Sequence, residues 1–174
     1  MRTMNTARAL GLTLCALLPV LAVPTAGASP TTHLKSEVDS ARGATGCLPL
    51  QTDSALNSVS EDTTREVDEY IRHAGRFLPP SNDKDLLQVL RDAGYSTVRA
   101  RLLIGYGDPR TGGPGDNEAK AIKAAVLEGQ GYEAFTDCAY TKYGLSAVND
   151  DSSQGWPSTA PRAYAVATVV LSGT

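Results

Sequence analysis

The chain has 174 residues, with 16 Lys and Arg against 19 Asp and Glu for a net charge of −3, and 41% apolar residues. This is an ordinary globular composition, and it excludes a collagen-like, low-complexity or fully disordered chain. The acidic balance argues against a general nucleic-acid binder, and the two histidines, at positions 33 and 73, do not form a multi-histidine metal motif such as HExxH.

Arg2 and Arg8 lie in a short polar start, an apolar stretch runs from Ala9 to Val23, and Pro24 breaks it. Ala26-Gly27-Ala28 then offers the small-x-small pattern of a signal-peptidase site. Residues 1–28 therefore read as a secretory signal peptide cleaved after Ala28, and the apolar run is too short for a transmembrane span. Cys15 follows Leu14 and lies mid-segment, which argues against a lipoprotein signal. Residues 29–174 then form a single exported domain, and losing two arginines and no acid takes its charge from −3 to −5. Cys47 and Cys138 remain in an oxidising compartment, where they permit one intramolecular bridge; two buried free thiols are the alternative.

After a polar lead at 29–32, Leu34, Val38 and Ala41 recur at helical spacing between His33 and Ala44, and Gly46 ends the segment. Leu48-Pro49-Leu50 is an extended connector. A second helix starts near Asp53 or Ser54, buries a stripe of Leu56, Val59, Thr63, Val67, Tyr70, Ile71 and Ala74, and closes at Gly75. Residues 79–83 form a capping loop, and Leu86, Leu87 and Leu90 make a short third helix ended by Gly94. Thr97 to Ile104 alternates as a strand, with Val98, Ala100, Leu102 and Ile104 on one face and Arg99 and Arg101 on the other. Gly107 to Gly115 is a loop. Asp116 caps a fourth helix carrying Ala119, Ile122, Ala125 and Val126, which stops at Gly129 or Gly131.

Cys138 to Val148 reads as a strand broken near Lys142, residues 149–161 as a polar loop, and Ala163 to Leu171 as a strand apolar at almost every position. A strand buried on both faces needs helices above and below its sheet. The expected fold is α/β, a three-layer α/β/α sandwich around a small, mainly antiparallel sheet.

Several segments resemble a known family. Val38-Asp39-Ser40-Ala41-Arg42 followed by Gly46-Cys47-Leu48-Pro49-Leu50 looks like its opening, and Asp53 and Leu56 fit its next helix. Leu90-Arg91-Asp92-Ala93-Gly94-Tyr95 looks like its R-x-x-A-G-Y turn, and Asp137 to Leu145 like its C-x-Y-T-x-x-G strand entry. This ordered set, spanning about residues 33 to 172, resembles a bacterial CAP (SCP) domain, the group of cysteine-rich secretory, antigen 5 and pathogenesis-related proteins. The resemblance implies an α/β/α sandwich and places Cys47 and Cys138 where many such domains carry a bridge. It also implies two histidines and two acids in a cleft, in some members binding a divalent metal. Here the first histidine falls at Thr63-Thr64 and an acid at Arg101 to Ile104, where no acid stands. The second histidine falls at His73, and the family's G-H-R segment falls at Gln130 to Glu133, where its histidine is absent. His73, Arg101, Tyr132 and Glu133 are thus candidates for a degenerate cleft, without a metal or other cofactor.

Each candidate has a plainer role. His73 near a helix C-terminus suits the dipole, and His33 reads as a surface residue. Asn149-Asp150-Asp151 lacks calcium-loop spacing and reads as a solvated turn. The glycine loop before Asp116 lacks a phosphate-binding fingerprint. No G-x-S-x-G elbow occurs. Family members bind lipids, sterols or proteins, so the expectation is a secreted non-enzymatic module for a small amphiphilic ligand or an extracellular protein partner. The alternatives are a hydrolase or peptidase using His73, or a protease inhibitor acting through residues 108–115.

Overall fold

Ser29 adopts extended backbone and accepts the Thr32 amide on its hydroxyl, and Pro30 follows at the first helical position. The first helix, α1 (Pro30–Gly43), therefore starts three residues before the expected His33. The computed structural model describes residues 28–72, 83–113, 115–150 and 163–174. It continues with β1 (Gln51–Thr52), α2 (Ser54–Ile71), α3 (Asp83–Asp92) and β2 (Arg99–Gly107). There follow α4 (Asn117–Val126), α5 (Gln130–Thr136), β3 (Tyr140–Asp150) and β4 (Tyr164–Gly173). The expected caps are in place: Asp53 accepts the Ala55 and Leu56 amides, and Asp116 accepts that of Ala119 at 2.9 Å. The signal segment lies outside the described residues apart from Ala28, as do His73, Trp156 and the expected end of α2 at Gly75. No helix among the described residues is long and apolar enough to cross a membrane.

The sheet runs β1-β3-β4-β2. β4 pairs antiparallel with both β2 and β3, and β1 adds a short parallel pair at Lys142 and Tyr143. The break expected near Lys142 is a register shift between Tyr140 and Lys142. Central β4 is buried from Tyr164 to Ser172. Its Ala165, Ala167, Val169 and Leu171 meet Leu34 and Val38 of α1, Val126 of α4 and Phe135 of α5. On its opposite face Val170 joins Leu56 and Val59 of α2 and Leu86 and Leu90 of α3. The three-layer α/β/α arrangement is thus observed, and the sheet is mainly antiparallel.

Two glycines bring helices onto the sheet backbone. A Cβ at Gly105 would lie 1.9 Å from the Ala121 carbonyl oxygen of α4, and one at Gly144 would lie 2.1 Å from the Leu56 carbonyl carbon of α2. At these contacts each helix lies directly on a strand.

Four expectations need correction. α5 is an addition: the expected fourth helix stops at Gly129 or Gly131, and no element is expected between there and Cys138. Gly129 takes φ +51° and turns the chain, while Gly131 lets α5 begin against α4, since a Cβ there would lie 2.3 Å from the Ala125 oxygen. β1 is also an addition: it follows the expected connector at Leu48-Pro49-Leu50, and its two exposed residues carry no periodicity. Tyr70, placed in the buried stripe of α2, is exposed. The expected strand Thr97–Ile104 is shifted: β2 begins at Arg99 and runs to Gly107, so Val98 precedes it and is exposed, and Ile104, within this edge strand, is exposed as well.

Candidate functional site

The positions where the resemblance puts cleft ligands lie on both sides of the sheet. On the α2 side, Thr63 and Thr64 are buried, and their hydroxyls donate to the Val59 and Ser60 carbonyls, each at 2.8 Å. Leu102 packs against the apolar cluster of α2 and α3. Arg101 lines a depression at the β2 edge with Leu87 of α3, Val98, Arg99, Ala100, Asp137 and Tyr140. Tyr132 and Glu133 project from α5, exposed, and Tyr132 borders a different groove. The depression of Arg101 and the groove of Tyr132 share no lining residue. Among the described residues, no group of three or more His, Cys, Asp or Glu could hold a metal ion.

The Tyr132 groove, about 420 Å³, lies where the C-terminal ends of α1, α4 and α5 meet. Ala41, Ala44, Val126, Leu127 and Phe135 give it apolar walls, with Thr45, Thr136 and the 65%-exposed Tyr132 at its mouth. Behind it, Arg42 is 3% exposed and donates to four backbone carbonyls. Its Nε reaches Leu48 at 3.0 Å, one terminal nitrogen reaches Phe135 and Asp137 at 2.9 and 3.1 Å, and the other reaches Tyr140 at 2.6 Å. Burial lowers the guanidinium pKa, and the Asp137 carboxylate opposes that. The Cys47–Cys138 disulfide closes the same junction, so the bridge expected from the cysteines is present. His33, as expected, is exposed, and it bonds Glu118 at 2.5 Å.

At the far end of the sheet lies a polar network that the sequence did not signal. Tyr164 donates its hydroxyl to Asp68, Arg72 bonds Asp68 at 3.1 Å and also pairs with Asp150. Asp150, expected in a solvated turn, is buried there instead, because β3 extends to it and its carboxylate meets Arg72 of α2. The Tyr106 ring stacks on Tyr164 with centroids 6.1 Å apart. Burial and then the adjacent Asp68 push the Tyr164 pKa up. Burial and the Asp108 carboxylate likewise push Tyr106 up to about 12.

The fold is similar to that of a cysteine-rich secretory protein from Staphylococcus aureus. The superposition has a TM-score of 0.53 at 12% sequence identity, and covers 90% of this chain and 41% of that one. No family model matches the chain, and no curated protein sequence matches it. The likeness is therefore one of fold: a CAP-like sandwich carried by a very different sequence.

Within that sandwich, Asp108 shows how the loop after β2 is held. Burial opposes its ionisation, but the Thr111 hydroxyl and amide, the Tyr106 hydroxyl and the Arg110 amide all donate to it and hold its pKa down at about 2. A carboxylate with a depressed folded pKa contributes stability above its unfolded value, and loses it as pH falls toward the folded one. Asp108→Asn should therefore narrow its stability gap to the wild type by about 2 kcal/mol between pH 5 and pH 2, as read by urea unfolding at each pH. An unchanged gap would show that the Asp108 turn contributes nothing.

Proposed function

We propose that the chain is an exported CAP-like domain, residues 29–174 after loss of a signal peptide, that binds a small amphiphilic ligand and has no enzymatic chemistry. The observation carrying this reading is the closure of the ancestral cleft positions. Thr63 and Thr64 spend their hydroxyls within their own helix and Leu102 is in apolar packing, while an apolar groove with a polar mouth stands at α1, α4 and α5. A concave apolar surface with few polar groups suits a ligand that has a greasy body and a hydrated head.

The protein purified after export, with its bridge intact, should quench or enhance a fluorescent fatty-acid probe saturably at one site. Tyr132→Asp should weaken that binding about tenfold without changing the circular dichroism spectrum, since it puts a charge at the apolar mouth. Absence of saturable binding would remove the ligand assignment. Turnover of generic peptide or ester substrates that His73→Ala abolishes would replace it with the hydrolase reading. Of the four candidate cleft residues Tyr132 belongs to this groove. Alanine variants of His73, Arg101 and Glu133 in the same titration would reveal any contribution from a degenerate cleft.

A further inference from the structure

We propose that the ligand of the Tyr132 groove is a long-chain amine, whose protonated head lies beside Glu37 while its chain fills the apolar walls. This rests on the ligand-binding reading above and adds the charge of the ligand. α1 and α4 run side by side in the same direction: His33 meets Glu118 near their N-terminal ends, and Ala41 and Val126 line the groove near their C-terminal ends. A second hollow, of about 410 Å³, lies between His33 and Glu37 of α1 and the outer face of α4, and Leu127 borders both hollows. The walls continue from one to the other. Glu37 stands one turn before Ala41 on α1, and Ile122 one turn before Val126 on α4, so each pair shares a helix face. Together the hollows make one trough that follows α1 from His33 to Ala44, a length of about 17 Å.

The two halves differ in charge. No charged side chain lines the half at Ala41. Arg42, behind it, is buried and turned to four carbonyls, so it offers an anionic head nothing. The other half carries the carboxylates of Glu37, Asp116 and Glu118 against Lys123, which Glu128 already pairs at 3.2 Å. Two of these carboxylates are in use: Asp116 caps α4, and Glu118 bonds His33 and Asn149. Glu37 is half-buried and makes no hydrogen bond or ion pair with a described residue. A carboxylate partly withdrawn from water and lacking a partner gains from a cation brought beside it. A second carboxylate in that place would meet like charges only. The trough thus offers an apolar half to the chain and an anionic half to the head, and this complementarity selects an ammonium.

Tetradecylamine, tetradecanol and tetradecanoic acid share a chain and differ in the head. Each should be titrated calorimetrically, below its micelle concentration, into the disulfide-intact protein. The amine is expected to bind about tenfold more tightly than the acid, with the alcohol between, since one head gains an attraction and the other a repulsion. Glu37→Lys should erase the amine's advantage without changing circular dichroism or melting temperature, because Glu37 has no partner to lose. Leu127→Gln, where the hollows join, should weaken all three ligands alike. Equal affinities, tighter binding of the acid, an amine preference that survives Glu37→Lys, or amine binding indifferent to Leu127→Gln would overturn the cationic head and leave the groove reading standing. No binding of any of the three would remove the groove reading and this proposal with it.

Discussion

Arg42→Ala is expected to lower the unfolding free energy by about 3–5 kcal/mol, the range for breaking a buried, fully hydrogen-bonded charge site. The substitution removes more than one contact. It leaves the carbonyls of Leu48, Phe135, Asp137 and Tyr140 without their shared donor, and these belong to three separate stretches of chain. Those stretches are the connector after α1, the end of α5 and the start of β3. Lysine cannot replace the function, because its ammonium is a single point with three donors, whereas the planar guanidinium reaches carbonyls on several sides at once. Arg42→Lys should therefore recover less than half of the loss. Urea denaturation monitored at Trp156 and by far-ultraviolet circular dichroism would measure both variants. A loss below about 1 kcal/mol in Arg42→Ala would mean that the carbonyls find water instead, and that the junction does not depend on this side chain.

Removing the disulfide should be nearly as costly. Cys47 and Cys138 are 91 residues apart, so the bridge forbids many extended states of the unfolded chain, an effect of about 4.6 kcal/mol in the chain-entropy model. In a domain of this size that corresponds to a fall of roughly 10 °C or more in melting temperature. The variant to test is Cys47→Ser with Cys138→Ser, compared with the wild type under reducing and oxidising conditions. Equal melting temperatures in the two conditions would refute a stabilising role. The bridge and Arg42 are also expected to couple, because Arg42 bonds the carbonyl of Asp137, the residue before Cys138. In a double-mutant cycle, losing both should cost less than the two single losses added together, since either loss already loosens the same end of α5.

These two predictions differ in how visible their residues are before folding. The bridge was legible as an expectation: reading residues 1–28 as a leader leaves Cys47 and Cys138 as the two candidates, and the two are found bonded. Arg42 is visible only as one arginine among many near a helix end. Its importance depends on three carbonyls that lie more than ninety residues away in sequence. The same contrast separates Asp53 and Asp116, whose capping roles are local, from Asp150, whose burial depends on Arg72 of a different element.

Local chemistry alone accounts for the helices α1 to α4, the caps Asp53 and Asp116, the strand β4 with its two apolar faces, and hence the layering of helices on both sides of a sheet. Those features depend on neighbours within a few turns of chain, where periodicity, capping side chains and turn residues act directly. The tertiary structure decided the rest. It showed that α5 is a helix of its own, that β2 is an edge strand on which Ile104 stays exposed, and that Arg101 and Tyr132 border different hollows. Each of these depends on which distant segment arrives beside a residue, and no repeat or spacing in the chain encodes that, because burial belongs to the assembled sandwich and not to the segment.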